Sequence, residues 1–424
     1  MQFTEHIGFI SMEELKLNRD DRQKEGIDKW IKSGCRATWV WATGFGKSFG
    51  AIKAIKIFLS KNQGKVIIII VPTEVLKVQW MQILVKFNLF YDVSIEIINS
   101  AIKKTSPIDF IILDECHKYA SAEYFSIFEK RNPKLILGLS AVYTRLDGRE
   151  SLLEKYCPVC DTITIQEAIF NKWLSPYKEY KVLIDPPDIE DYKEYNKAFI
   201  NAFSFFNFDF DIAMKSMTNI VYRRNYGKTM GIPSAEVDAI TFTWGRMLKA
   251  RKYFVMDHPK KIEITQRILD YRPDSKAITF SATIKQAEKI GRGYIVHSGK
   301  TKKKNGLTMA QFSQLKTGVI NSVKGLNEGV DIPGLNLGIL LCNNSSTQEK
   351  SQRVGRIIRY EEDKEAEVFT LVMKGTMEEG WYNTSTAGKN YIEITEAELN
   401  DILQGVITMN VEQTAVKSDI LFRL

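Results

Sequence analysis

The sequence predicts an α/β protein with two doubly wound parallel-sheet lobes, a helical insert between them and a short helical appendage at the C-terminus. Three observations predict it. Runs such as "KVIIIIVPT" and "DFIILDECH" are apolar at nearly every position, as strands covered on both faces must be. Segments with apolar residues at helical spacing separate those runs, which is the connection that parallel strands need. The alternation lapses after residue 157 and resumes near Lys276, so there are two such series.

In chain order, "RATWVWA" reads as a strand, "KSFGAIKAIKIFLSK" as a helix and "KVIIIIVPT" as a strand. "VLKVQWMQILVKF" is an amphipathic helix, and "DFIILDECH" and "KLILGLSAV" are strands. The second series reads "KAITFSAT" strand, "IKQAEKIG" helix, "YIVHS" strand and "TMAQFSQLK" helix. "GVINSV" and "LNLGILLCN" follow as strands, then "QEKSQRVGRIIRY" as a helix and "AEVFTLVM" as a strand. The lobes are expected at 1–157 and 262–390, the linker and insert at 158–261 and the appendage at 391–424. Tyr195 to Met217 is dense in phenylalanine and helical in pattern, which predicts a packed core, with Phe205 and Phe206 as candidates for a strand-separating wedge. Arg223, Arg224, Lys228, Arg246, Lys249, Arg251 and Lys252 follow, as candidate phosphate contacts or a solvated face.

The chain has 424 residues, 44% hydrophobic and 26% charged, which suits a globular protein with real cores. Its formal charge of +8 is compatible with a polyanionic partner and equally with an ordinary basic enzyme. The start "MQFTEHIGFI" has no basic, continuously apolar leader, and the longest apolar run, "VIIIIV", is far too short to span a bilayer. A cytoplasmic protein without a membrane partner is therefore expected. Five cysteines are too few for a disulfide scaffold, and "CPVC" at Cys157 and Cys160 has no second ligand pair nearby to complete a metal site.

The chemistry begins at "WVWATGFGKS". Gly44 and Gly46 permit a tight turn between strand and helix, where helix N–H groups and dipole favour an anion. Lys47 would reach the β and γ phosphates and Ser48 would hold Mg²⁺. The usual pattern has glycine five residues before Gly46, and this chain has Trp41 there. A second element, Asp114 and Glu115 at the end of an apolar strand, supplies a carboxylate for the metal through water and one to polarise the attacking water. A third, "SQRVGRIIR", places Arg356 and Arg359 three residues apart on one helix face, with Gln352 just before, as guanidinium groups aimed at one polyphosphate would be. Together these predict a nucleoside-triphosphate hydrolase using Mg²⁺.

In order, the motifs resemble those of superfamily 2 helicases and translocases, of the DExH type. "DDRQKEGIDKW" is similar to the adenine-reading motif, with Gln23 in the key place. "ATGFGKS" resembles motif I, "VPTEVLKVQW" motif Ia, "DECH" motif II and "GLSAVYTRLDG" motif III. "AITFSAT" resembles motif IV, "GLNEGVDIPGLN" motif V and "QRVGRIIR" motif VI. Val142 departs from the usual Ser-Ala-Thr of motif III, Tyr143 stands where proline is common, and the "SAT" at Ser281 belongs to the second lobe.

The resemblance implies ATP as the nucleotide and two RecA-like lobes clamping Mg·ATP. Gln23, Thr43, Gly44, Phe45, Gly46, Lys47, Ser48, Asp114, Gly329 and Asp331 bind nucleotide, with Ser48 and Asp114 on the metal. Glu115, Gln352, Arg356 and Arg359 act in catalysis, and His117, Ser140 and Ala141 couple hydrolysis to motion. Pro72, Thr73, Arg145, Ser281, His297 and Asn327 touch nucleic acid. The implied activity is ATP-dependent unwinding or remodelling of forked or branched DNA in replication, recombination or repair. RNA unwinding and double-stranded DNA translocation without unwinding stand as alternatives. Similarity to DNA-repair and bacteriophage branch-migration helicases implies a chain that acts as a monomer, in the host cytoplasm for a phage protein.

Overall fold

The computed structural model describes residues 17–62, 64–144, 148–323, 332–387 and 389–407. Arg145, Asn327, Gly329 and Asp331 lie outside them. The first sheet contains β1 (Arg36–Trp41), β2 (Ile67–Val71), β3 (Val93–Ile97), β4 (Phe110–Asp114), β5 (Leu135–Ser140) and β6 (Val159–Ile163). All its pairings are parallel, in the order β3-β2-β4-β5-β1-β6. The interior strands β2 and β4 are buried at every position, which is why β2 is unbroken Ile and Val and β4 is Phe, Ile and Leu up to its final Asp114. Leu139 of β5 pairs with Trp39 of β1 on one side and Asp114 of β4 on the other. That register brings the glycine loop after β1 and the acids ending β4 to the same carboxyl edge of the sheet, where ligands of open α/β sheets sit.

The second sheet contains β7 (Tyr177–Ile184), β8 (Lys276–Ser281), β9 (Tyr294–His297), β10 (Gly318–Val323), β11 (Leu337–Leu340), β12 (Ala366–Met373) and β13 (Ile392–Thr395), in the order β13-β7-β12-β11-β8-β10-β9. Its β12-β11-β8-β10-β9 portion is parallel, as is the β13–β7 pair. Two strands of this sheet come from segments the sequence assigned elsewhere: β7 from the linker and β13 from the helical appendage. Beneath the sheet, Lys261 and Glu378 form an ion pair with no exposed side-chain surface. Lys261 Nζ lies 2.7 and 2.8 Å from the two carboxylate oxygens and also donates to the Leu341 carbonyl at 2.8 Å. Glu378 further accepts from the Met373 N–H and the Asn343 amide.

The backbone divides into two compact units. The first takes in Met1–Tyr177, Leu326–Asn336 and Thr347–Ala366; the second takes in Lys178–Gly325, Leu337–Ser346 and Glu367–Leu424. The helix Thr347–Ile357, which carries "QRVGRI", therefore groups with the first unit although its sequence follows the second series of strands. The insert belongs to the second unit and is four helices: Ile189–Ser204, Phe210–Thr218, Ile220–Thr229 and Ser234–Met256. Its core gathers Phe199, Ala202, Phe206, Ala213 and Trp244. Phe206 is fully buried and Phe205 is packed against the same core, so the wedge expected there is corrected: these rings hold the insert together. Arg223 is likewise an interior residue, paired with Asp238 at 2.5 Å and donating to the Ser216 carbonyl. Among the described residues no helix is long and apolar enough to cross a membrane.

Candidate nucleotide site

The loop after β1 turns on two glycines, Gly44 at φ 91° and Gly46 at φ 107°, both in the left-handed region that a β-carbon disfavours. The helix Lys47–Lys61 then begins with no side-chain cap, so its first N–H groups are available to an anion. Trp41 takes the place of the usual glycine without disturbing this turn, because its ring points into the sheet. It is fully buried, stacks on Trp39 at 4.2 Å, meets Phe45 edge-on at 5.2 Å, and donates its indole N–H to Asp161 at 2.7 Å. Asp161 also receives both terminal nitrogens of Arg22, at 2.8 and 3.0 Å, tying the preceding helix to the same strand. The glycine is replaced by an anchor.

Lys47 Nζ donates to the Trp41 carbonyl at 2.9 Å, inside the curl of the loop. Burial pushes its ammonium below the usual lysine range, opposed by the nearby charges of Glu115 and Asp114. A polyphosphate entering the loop would offer this desolvated cation its missing counter-charge. Gln23 is buried and its amide reaches the Gly46 carbonyl at 3.3 Å. Phe45 packs against Trp173 at 4.9 Å, and Arg19 spans the loop from outside, donating to the Gly44 and Trp173 carbonyls at 3.1 and 2.5 Å.

At the end of β4, the Trp80 indole N–H donates to Asp114 Oδ2 at 2.8 Å, while Oδ1 accepts the Glu115 N–H at 3.1 Å. Glu115 itself sits at φ 52°, ψ 54°, a left-handed backbone that a non-glycine residue holds only when its surroundings enforce it. Its carboxylate is met from the helix Thr347–Ile357: Gln352 donates at 3.0 Å, and Gln348 lies at 3.5 Å. The next turn of that helix lies against the glycine loop. A β-carbon on Gly355 would come within 2.5 Å of Thr43 Cβ, and one on Gly44 would lie 3.8 Å from Arg359 Cγ. Arg356 is buried, and burial lowers the Arg359 guanidinium. Arg353 is engaged with Glu349 one turn back on its own helix. The structure thus gathers Thr43, Gly44, Lys47, Asp114, Glu115, Gln352 and Arg359 around one edge of the first sheet.

The model described as type III restriction enzyme, res subunit, matches residues 16–106 and 91–145, and the helicase conserved C-terminal domain matches residues 260–361. The chain belongs to superfamily 2 of the helicases and translocases. This superfamily 2 chain is 25% identical over 384 residues to DNA 3'-5' translocase XPB2 of Sulfurisphaera tokodaii, a match covering 85% of this chain and 83% of that one. Its fold is similar to the Hef helicase domain of Pyrococcus furiosus, with TM-score 0.51 and 16% identity over 87% of this chain and 99% of the other. It is similar also to Dbp5 of S. cerevisiae bound to RNA and ADP BeF3, with TM-score 0.57 and 12% identity over 91% and 93%. As a superfamily 2 member the chain is an ATP-hydrolysing enzyme.

The remaining helicase-motif residues fall at defined places. His117 Nδ1 lies 2.9 Å from Ser140 Oγ, whose own hydrogen goes to the Val142 carbonyl at 2.5 Å, so the imidazole is the donor. Ala141 follows at the edge of the sheet, half-buried. Val142 lacks the usual hydroxyl, yet both its backbone N–H and its carbonyl engage Ser140. Pro72 and Thr73 follow β2, with Thr73 capping the next helix through the Leu76 N–H. His297 ends β9 and accepts the Gly299 N–H at its ring. Ser281 is corrected: it is 2% exposed at the end of β8 and its hydroxyl is enclosed by protein, so it offers no surface to a strand. Sequence reasoning missed Arg19 and Trp80. Arg19 stands one helical turn before Gln23, a spacing that could have flagged it. Trp80 closes "VPTEVLKVQW", but nothing in that string tells that its indole reaches Asp114.

Proposed function

We propose that the chain is an ATP-driven motor that moves along DNA and opens or remodels forked or branched duplexes. The observation that carries this reading is the hydrogen bond from Gln352 to Glu115, with Gly355 and Arg359 packed on the loop: the arginine-bearing helix and the phosphate loop share one site. Lys47, Ser48 and the uncapped helix N-terminus hold the phosphates, and Asp114 and Ser48 present oxygens for a magnesium ion. When bound, that ion neutralises charge on the β and γ oxygens. Glu115, steadied by Gln352, orients and deprotonates the attacking water. Arg356 and Arg359 face the charge that develops on transfer. The His117–Ser140 contact joins the acid strand to β5 and passes the change in Glu115 to the rest of the motor.

The archaeal relative that shares most of its length with this chain is named a DNA translocase, which favours DNA over RNA and 3'-5' movement. The same name favours a second reading, translocation on duplex DNA without strand separation. A panel of tailed, forked and four-way DNA and RNA substrates at one salt concentration distinguishes them. Forked DNA stimulating ATPase and yielding separated strands supports the first reading. Duplex-stimulated ATPase without product supports the second, and no stimulation by any nucleic acid refutes both.

Trp80 is expected to set how tightly the metal site is organised. Trp80→Phe keeps an aromatic, smaller ring and loses the N–H donor to Asp114, so Mg²⁺-dependent binding of a fluorescent ADP analogue should require about tenfold more Mg²⁺, in line with losses on removing a partner of a metal-binding carboxylate. Titration of that binding with Mg²⁺ checks it, and an unchanged midpoint would show that Asp114 is oriented without the indole.

A further inference from the structure

The helix Ser234–Met256 carries no carboxylate between Asp238 and Asp257, while Arg246, Lys249, Arg251 and Lys252 fall in that interval. Phe242, Arg246, Lys249 and Tyr253 are spaced by four, three and four residues and so share one helix face. All four are exposed, Phe242 at 53% and Tyr253 at 60%. Among the described residues no ion pair or hydrogen bond engages the side chains of Arg246 or Lys249. The opposite face is the packed one: Trp244 is fully buried, and the Arg251 guanidinium lies 4.0 Å over the Phe199 ring. Phe242 is held on one side by Arg223, whose guanidinium sits 4.9 Å over the ring and is itself fixed by Asp238. Its remaining surface faces solvent.

A face kept merely soluble mixes signs, pairing lysine and arginine with glutamate one turn away. This one exposes two large rings at either end of two unpaired cations, over about 16 Å of helix. We infer that the face is a binding track for single-stranded nucleic acid, with Phe242 and Tyr253 stacking on bases and Arg246 and Lys249 taking the phosphates between them. This rests on the motor reading and extends it to a surface outside the nucleotide site. Two cations flanked by rings match a polymer of phosphates and bases; an acidic protein would answer the cations and leave the rings without a partner.

The test uses the full chain and a fluorescein-labelled oligothymidylate without ATP, titrated at several salt concentrations. Phe242→Ala with Tyr253→Ala should weaken binding at least tenfold, since stacking on an aromatic ring contributes about 1–3 kcal/mol per base. Arg246→Gln with Lys249→Gln should lower the slope of log affinity against log salt by about 1.4, two single-strand phosphate contacts. Lys61→Gln with Lys65→Gln, an equal loss of charge on exposed residues of the other unit, should leave that slope unchanged. Melting temperatures of all variants should match the parent, because the substituted side chains are exposed. A parent that binds a duplex of the same length but no single strand overturns the track, and one that binds neither refutes the motor reading. A parent that binds, with track variants that bind equally well, overturns the track alone; so does a slope that falls as much in the control pair.

Discussion

Lys47→Ala is expected to abolish ATP turnover, by at least about three orders of magnitude, whatever nucleic acid is supplied. Lys47 is the cation inside the loop, 2.9 Å from the Trp41 carbonyl and within electrostatic reach of both Asp114 and Glu115. Its ammonium is already desolvated, so bringing phosphate oxygens to it costs little further reorganisation, and its charge acts at full strength where negative charge collects. Alanine removes the charge but leaves the glycine turn and the Trp41 anchor, so the fold should persist. Phosphate release measured beside the melting curve separates the two effects. Turnover at the parental rate in a folded Lys47→Ala protein would remove this loop from the reaction.

What the sequence made legible was what burial makes regular. Interior strands such as β2 and β4 lie between helices on both sides, so β2 is wholly apolar and β4 is apolar up to Asp114. Their boundaries fall within two residues of the readings except at the end of β4, where the reading ran three residues on to His117. Strands β3, β6 and β13 lie at sheet edges, where alternate residues meet solvent. "VSIEI", "VCDTI" and "IEIT" therefore mix polar and apolar residues and lack the signature of a buried strand. The motifs of the candidate nucleotide site stood out because they are local: a loop, the end of a strand, one face of a helix. How that helix groups is a long-range matter: in chain order it lies between β11 and β12 of the second sheet, while Gly355 lies on Thr43 of the first unit.

The same distinction explains the individual errors. Trp41 stood out as a departure from the usual glycine, and its role as an anchor stayed hidden because a pattern counts residues and not the directions in which they point. Its partner Asp161 lies on β6, 120 residues away, in a strand the sequence hid. Phe205 and Phe206 fall in the packed core that their stretch predicts, and the wedge alternative stood only because a run of phenylalanine does not say which ring faces inward. Helical spacing does say it for Phe242 and Tyr253, where both neighbours on the face are charged. Composition identifies a stripe only when its period and its exposure agree.

Lys261→Met is expected to destabilise the second unit by about 3–5 kcal/mol, the cost of leaving a buried charge without its counter-ion. The methionine fills most of the lysine's volume, so cavity formation contributes little and the effect isolates the charge. Glu378 would remain fully enclosed with only the Met373 N–H and the Asn343 amide as donors. Burial already raises its carboxyl above the ordinary range and Lys261 is the main influence holding it down, so the substitution raises it further. A carboxyl whose folded pKa lies above its unfolded value gives stability that is present at low pH and lost as pH rises through the folded pKa. The deficit of Lys261→Met should therefore be smallest in acid and grow as pH climbs past the usual carboxylate range. Adding Glu378→Leu should recover most of it and flatten the pH dependence, since replacing both members of a buried pair is often close to neutral. Urea unfolding of the three proteins from pH 4 to 8 reads both predictions. A single variant as stable as the parent at every pH would mean that water reaches Glu378 despite its enclosure.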